Sequence, residues 1–296
     1  MKEWTEDQWR LFHQAYQHEI DDSRLAHKVI PMYELASSAR SVSADTFDYA
    51  TGAVDDVKQI PLEECQETFN LTTAQTEDED LSSAQVIVRR TAQRMAFEDD
   101  KRVFRIGIRD AIDGAQPGSK NFQKIEMVGR TPDKDGRPTG DGIVSATAAA
   151  LAALDGDGYR SGYVMVTGPF LYRLLHTRAL GAADLPVIAV RGLLGEGPVH
   201  RSTALSEDEA LVLSVGSGRI DRAVAVAPTA EFLRVEKAPK GAPVDELYSW
   251  RLYQKFITRF KETKSAVLLR LEPEAQYHAA GKETSDTANQ ENDTGL

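Results

Sequence analysis

The sequence predicts a protein of mixed helices and strands, with a first half built on one long helix and an α/β second half. Three observations carry this. A helical pattern without Pro or Gly runs from Asp80 to about Ile108, where only Gly107 intervenes. From Gly142 onward, apolar runs of strand length alternate with helical segments, the mark of an α/β arrangement. Residues 247–271 then alternate apolar and polar residues over a strand-like stretch.

In the long helix, Leu81, Ala84, Val88, Ala92, Met95, Asp99, Val103 and Ile106 fall near the spacing of one face. Ser82 is placed to cap it, with Gln85 completing a capping box. At ~1.5 Å per residue the helix is roughly 40 Å long, a spine for other elements to lie across.

Ahead of it, residues 5–28 predict a helix capped by Thr5, with Glu6 and Asp7 at the positive end of its dipole. Trp9, Phe12, Tyr16 and Ile20 form an aromatic stripe. Two readings stand: a helix docked on its own core, or a groove wall for another peptide. Pro31 ends this region. Residues 41–60 hold no long apolar period and read as a two-stranded excursion around Thr51 and Gly52. With little core of its own, such an arm needs a neighbouring surface. Residues 61–73 alternate as a strand, with Cys65, Phe69 and Leu71 on one side.

After the spine, Asp133, Asp135 and Gly136 imitate the start of a calcium loop. The glycine comes too early and no glutamate closes the loop, so no metal is expected. Then come a small-residue helix from Gly142, a buried strand YVMVTGP, a helix FLYRLLHTRAL, strand character from Val187 and in ALVLSVGSG, and RAVAVAPTAEFLRVE. Gly216-Ser217-Gly218-Arg219 lacks the Lys-Ser/Thr of a phosphate loop and reads as a turn. Tyr248, Trp250, Leu252, Gln254, Phe256, Thr258 and Phe260 share one side of a long strand. Arg251, Lys255, Arg259 and Lys261 make that strand basic, which reads as a solvated face. Residues 274–296 are polar and predict a flexible tail.

The 296 residues carry a net charge of -11, which disfavours a nucleic-acid partner. No apolar run reaches membrane-spanning length and the N-terminus lacks a secretory signal, so a cytoplasmic protein without a membrane partner is expected. The single cysteine, Cys65, reads as a small semi-buried side chain. No catalytic constellation emerges. The six histidines are scattered, and Glu98 and Asp99 point about 100° apart on a helix. From chemistry alone the chain reads as a non-enzyme.

The stretches TEDQW, PLEECQETFNL, DLSSAQVIVRRTAQRMAFEDDKRVFRIG, YRSGYVMVTGPFLYRLLHT, GSGRIDRAVAVAPTAEFLRVE and AVLLRLEP occur in an order that resembles the encapsulins, the linocin- or bacteriocin-type shell proteins. The resemblance spans about residues 1–273. It implies an α+β HK97 phage-capsid-like fold. Residues 1–39 would be the N-terminal helix and start of the peripheral domain, 40–60 the extended loop, and 61–141 the peripheral domain with its spine. Residues 142–235 would be the axial domain, 236–273 the return strands and 274–296 an exterior tail.

The resemblance further implies a homo-oligomeric icosahedral shell, a multiple of 60 subunits, enclosing a cargo protein held through the cargo's C-terminal targeting peptide. Trp9, Phe12 and Tyr16 become docking candidates. The loop Arg178, Ala179, Leu180, Gly181, Ala182, Ala183 and Asp184 would line the fivefold pore. A flavin-binding relative places a tryptophan just after the strand that here reads FNLTTAQ; none stands there, so no cofactor is expected. The competing readings are a phage or prophage major capsid protein and a bacteriocin-like protein or protease.

Overall fold

Two sheets lie against one long helix. The computed structural model describes residues 4–48, 53–113, 125–128, 139–178, 182–237, 246–262 and 264–271. Helix α1 (Glu6–Ser23) starts as expected: the Thr5 hydroxyl accepts from the Gln8 N–H while the Gln8 side chain accepts from the Thr5 N–H. The chain turns at Arg24 into the short α2 (Ala26–Val29) and, past Pro31, into strand β1 (Met32–Glu34).

Strands β2 (Ser41–Asp48) and β3 (Ala53–Pro61) form the expected excursion, an antiparallel hairpin pairing Ser41 with Pro61 and Asp48 with Ala53. It bonds to no third strand among the described residues. Thr51 and Gly52 lie outside those residues. Strand β4 (Glu63–Thr72) buries Cys65, Phe69 and Leu71, the alternation read from the sequence. Helix α3 (Thr73–Glu77) follows.

The spine is helix α4 (Ser82–Asp100), continued by a π-helical stretch over Lys101–Arg109 and by α5 (Asp110–Asp113). Two expectations need correction. Ser82 is not the cap: Leu81 holds that position at φ 54° without a side-chain bond, and the Asp80 carboxylate accepts from the Ser82 N–H. Nor does one face persist to Ile106. In a π-helix the backbone bond reaches five residues back rather than four, so each turn holds more residues. The buried face passes from Asp99 to Val103, Phe104 and Ile108, and Ile106 is exposed.

A five-stranded sheet runs β5–β11–β8–β6–β7, from β5 (Ile125–Val128), β6 (Tyr163–Thr167), β7 (Val199–Arg201), β8 (Glu209–Ser214) and β11 (Ala266–Leu271). Helices α6 (Asp141–Gly156), α7 (Pro169–Leu175) and α8 (Pro186–Leu193) cover one face, where Ile143, Leu171 and Val190 meet Met165, Val212 and Leu269. The opposite face, with Val164, Leu211 and Leu268, joins the core beneath the spine. The strand expected at Val187 is helix α8 instead. Pro186 sits in its first turn, where a missing N–H costs nothing. Residues 216–218 form one 3₁₀ turn.

A four-stranded sheet runs β1–β9–β10–β4, with β9 (Ile220–Lys237) and β10 (Glu246–Phe260) as its long central pair. Residues 220–237 therefore lie in the four-stranded sheet and 266–271 in the five-stranded one. The inward side of β10 is the predicted one, with Tyr248, Trp250, Leu252, Gln254 and Phe256 buried. Its basic stripe is not simply solvated. Arg251 pairs with Glu64 and Glu231, Lys255 with Glu64, and Arg259 and Lys261 with Asp221.

Candidate functional site

The aromatic stripe of α1 is gathered into one cluster that faces the four-stranded sheet. Trp4 stacks on Trp250, ring centroids 5.2 Å apart and 9° from parallel, and its Nε1 donates to the Thr76 carbonyl at 2.8 Å. Phe12 lies 5.0 Å from Trp4 and 5.3 Å from Trp250. Such pairs contribute about 0.5–1.5 kcal/mol each beyond the area they bury. Phe12 and Tyr16 are buried, and burial raises the Tyr16 phenol above its ordinary range. Trp9 is half-buried, so of the three predicted docking residues it alone reaches the surface.

The accessible side of α1 is a groove of about 650 Å³ against α4. Leu11, Ala15 and His18 form one wall, Gln85 and Arg89 the other. Sequence reasoning passed over these residues because they flank the stripe rather than belong to it. A second groove, about 800 Å³, lies between α4 and β4 and is lined by Phe69, Ile87 and Phe97 with Arg90 and Arg94.

Buried charge fixes the far end of α1. Asp99 is fully buried beside Arg222, with Arg24 at 3.4 Å. Burial pulls the Arg222 guanidinium down in pKa, and the Asp99 charge opposes this. Asp100 turns the other way and accepts from the N–H groups of Leu25 and Ala26, at 3.0 and 2.6 Å. Burial pushes its carboxyl up to about 7 despite those two bonds. The acidic residues at the spine's end thus act as structural ties, and the neighbouring Glu98 pairs with Lys101.

A second tie joins the spine to the five-stranded sheet. The Glu209 carboxylate, 3% exposed, accepts from Arg109 at 2.9 Å and from Arg270 at 2.8 Å. Burial alone would raise its pKa, but these bonds outweigh it and the net shift is downward.

In the predicted pore loop, Arg178 donates from Nε to the Ala182 carbonyl at 2.7 Å and from Nη2 to that of Ala183. Its guanidinium closes the loop on itself, and Asp184 is exposed. Ala179, Leu180 and Gly181 lie outside the described residues, as do Asp133, Asp135 and Gly136. Cys65 is buried, and burial raises its thiol to about 11, far from a nucleophile's range. Among the described residues no three His, Cys, Asp or Glu side chains are placed to share a metal ion. No helix among them is long and apolar enough to cross a membrane.

Comparison with known proteins gives two kinds of match. A linocin-type family model, described as encapsulating protein for peroxidase, matches residues 20–238. Among solved structures, a virus-like particle from Pyrococcus furiosus aligns at TM-score 0.68 and 13% identity, covering 90% of this chain and 100% of that one. The capsid of bacteriophage PhiM1 aligns at 0.55 and 11%, covering 84% and 87%. The holo-SrpI encapsulin complex from Synechococcus elongatus aligns at 0.50 and 13%, covering 82% and 85%. At such identities the structures establish the fold, that of HK97-like capsid and encapsulin subunits. No curated protein matches the chain.

Proposed function

The chain belongs to the linocin-type family of encapsulating proteins, and from that premise we propose that its copies close into an icosahedral shell, a multiple of 60, around a cargo protein. The observation that carries this is the family match across residues 20–238 on a subunit with the capsid fold. The chain is an encapsulin shell subunit. The β2–β3 hairpin supports assembly: it pairs with no third strand of its own chain among the described residues, and another copy would supply the missing surface.

Cargo docking falls to two parts of α1, the accessible edge of Trp9 and, on another face, the α1–α4 groove, with Phe12 and Tyr16 packed in the core beneath the helix. The groove's Leu11 and Ala15 offer an apolar strip to a cargo's C-terminal peptide, and Arg89 offers a partner for a carboxylate. The loop from Arg178 to Asp184 is assigned to the fivefold pore. Residues 61–141 and 142–235 remain the proposed peripheral and axial units, with 236–273 as the return strands. The shell acts as an enclosure in the cytoplasm, and the chemistry belongs to the cargo.

Negative-stain electron microscopy with large-pore size exclusion tests the shell. Uniform hollow particles of tens of nanometres with a co-purifying protein are expected. A monomer or small oligomer across salt and pH would overturn it. Viral capsids share the fold, and neighbouring genes separate the readings: a cargo enzyme for an encapsulin, portal and terminase for a capsid. Loss of a casein substrate on incubation with the purified protein would instead revive the protease reading.

A further inference from the structure

The arm is gripped at its root by one buried arginine. Arg259 on β10 sends Nε and Nη2 to the two oxygens of Asp221 on β9, both at 2.7 Å. Its remaining nitrogen, Nη1, donates to the backbone carbonyl of Ser43 on β2 at 3.0 Å. The guanidinium also lies 4.7 Å from the ring centroid of Tyr33 on β1. One side chain, 7% exposed, therefore joins four strands. Lys261 adds a second cation to Asp221 at 2.7 Å.

The position of this grip matters. The β2–β3 register holds at Ser43–Gln59 and Ala44–Lys58 and slips before Thr46–Asp55, where β3 carries one residue more than β2, so a bulge in β3 lies just beyond the gripped level. A bulge bends its strand and re-aims what lies beyond it. On the root side of that bulge β3 is fixed by the chain itself: it runs through Pro61 and Leu62 straight into β4, and the Leu62 N–H donates to the Arg40 carbonyl. The root is thus held at two points, one by chain continuity and the other by Arg259.

Geometry makes the second point a lever. A nine-residue strand such as β3 reaches roughly 30 Å. A 10° tilt at the root moves its far end about 5 Å, one strand spacing. In a closed shell that shift changes where each arm lands on the next copy, and the angle between copies decides how many close the shell.

We propose that Arg259 is a positioning residue that sets the angle at which the arm leaves the sheet, and through it the size of the closed particle. This rests on the shell reading above. The carbonyl of Ser43 and the carboxylate of Asp221 take the planar fork simultaneously. A lysine offers one nitrogen and cannot span both.

The test compares wild type, Arg259→Lys, Arg259→Met and a control, Arg109→Met, which breaks the ion cluster at Glu209 away from the arm. Particle diameter is read by electron microscopy and mass by charge-detection mass spectrometry, with far-UV circular dichroism as the fold check. Both Arg259 variants are expected to lose the single wild-type size class, giving mixed or open particles with secondary structure retained. The control is expected to melt earlier at unchanged particle size. A single wild-type size class in Arg259→Met overturns the proposal. If that variant does not fold, the same result in Arg259→Lys overturns it. Wild-type protein that forms no particles at all refutes the shell reading instead.

Discussion

Arg222 donates from Nη2 to both carboxylate oxygens of Asp99, at 2.7 and 2.9 Å, with neither side chain open to solvent. Arg222 comes from β9 and Asp99 from the spine, so the pair pins the four-stranded sheet to the helix. Breaking a buried pair strands the surviving charge. Asp99→Ala is expected to cost about 3–5 kcal/mol, with a sharp loss of soluble protein. A urea midpoint equal to wild type would show that the pair adds nothing.

Asp100 makes stability depend on pH in an unusual direction. Its folded carboxyl titrates near 7, above its ordinary value of 3.8. Between these values the folded state holds a proton that the unfolded chain has released, so this group's contribution rises as pH falls from 8 toward 5. His27, with a lowered pKa, works against it below about 6.5. Arg24, Arg222 and Asp99 share the surroundings. Asp100→Asn removes the carboxyl's part alone. The melting temperature of wild type relative to Asp100→Asn is expected to rise between pH 8 and pH 6; a constant difference would count against the buried carboxyl.

Gly107 sits where the π-helical stretch crosses β10. A Cβ there would lie 2.9 Å from the Arg102 carbonyl and 3.2 Å from Thr258 Cβ. Gly107→Ala is expected to destabilise by about 1–3 kcal/mol through overpacking, despite alanine's better helix propensity. Thermal melting decides it, and a stabilised variant would mean that the helix relaxes to α geometry without penalty.

The docking groove makes a separate forecast. Leu11→Asp is expected to lower cargo loading about tenfold, equivalent to roughly 1.4 kcal/mol, while leaving shell assembly unchanged. The cargo-to-shell ratio by quantitative gel or mass spectrometry reads this out. Equal loading with intact shells would move docking to the α4–β4 groove, where Phe97→Asp is the next variant.

Much of the fold was legible because it follows local periodicity. The β10 alternation, the β4 alternation and the Thr5 cap depend on neighbours in sequence, and the structure bears them out. The misreadings share a different cause. Ile106 faces outward because the backbone changes helix type, and the hydrophobic pattern does not encode that change. Val187 lies in a helix because Pro186 starts one, although its apolar run also suited a strand. Arg259 read as one of several surface bases. Its role depends on Asp221 and on a backbone carbonyl far away in sequence, and such convergence leaves no local trace. The α1–α4 groove was missed likewise: it exists only once two helices separated by four strands and two short helices lie side by side.

The strand that covers the aromatic face of α1 comes late in the chain. Trp4 stacks on Trp250 and Phe12 packs against it at a tilt, and β4 pairs with β10 from Thr72–Leu247 to Glu63–Phe256. During synthesis at ~5–20 residues per second, roughly 7–30 s separate the emergence of the spine from that of β10. Throughout that interval the tryptophan-rich side of the nascent chain has no lid, so it is a natural client for chaperones that hold apolar surface. The same order acts as a timer. The arm is made early, but its clamp at Arg259 arrives about 200 residues later, so translation withholds a rigid arm until both long strands of its sheet exist.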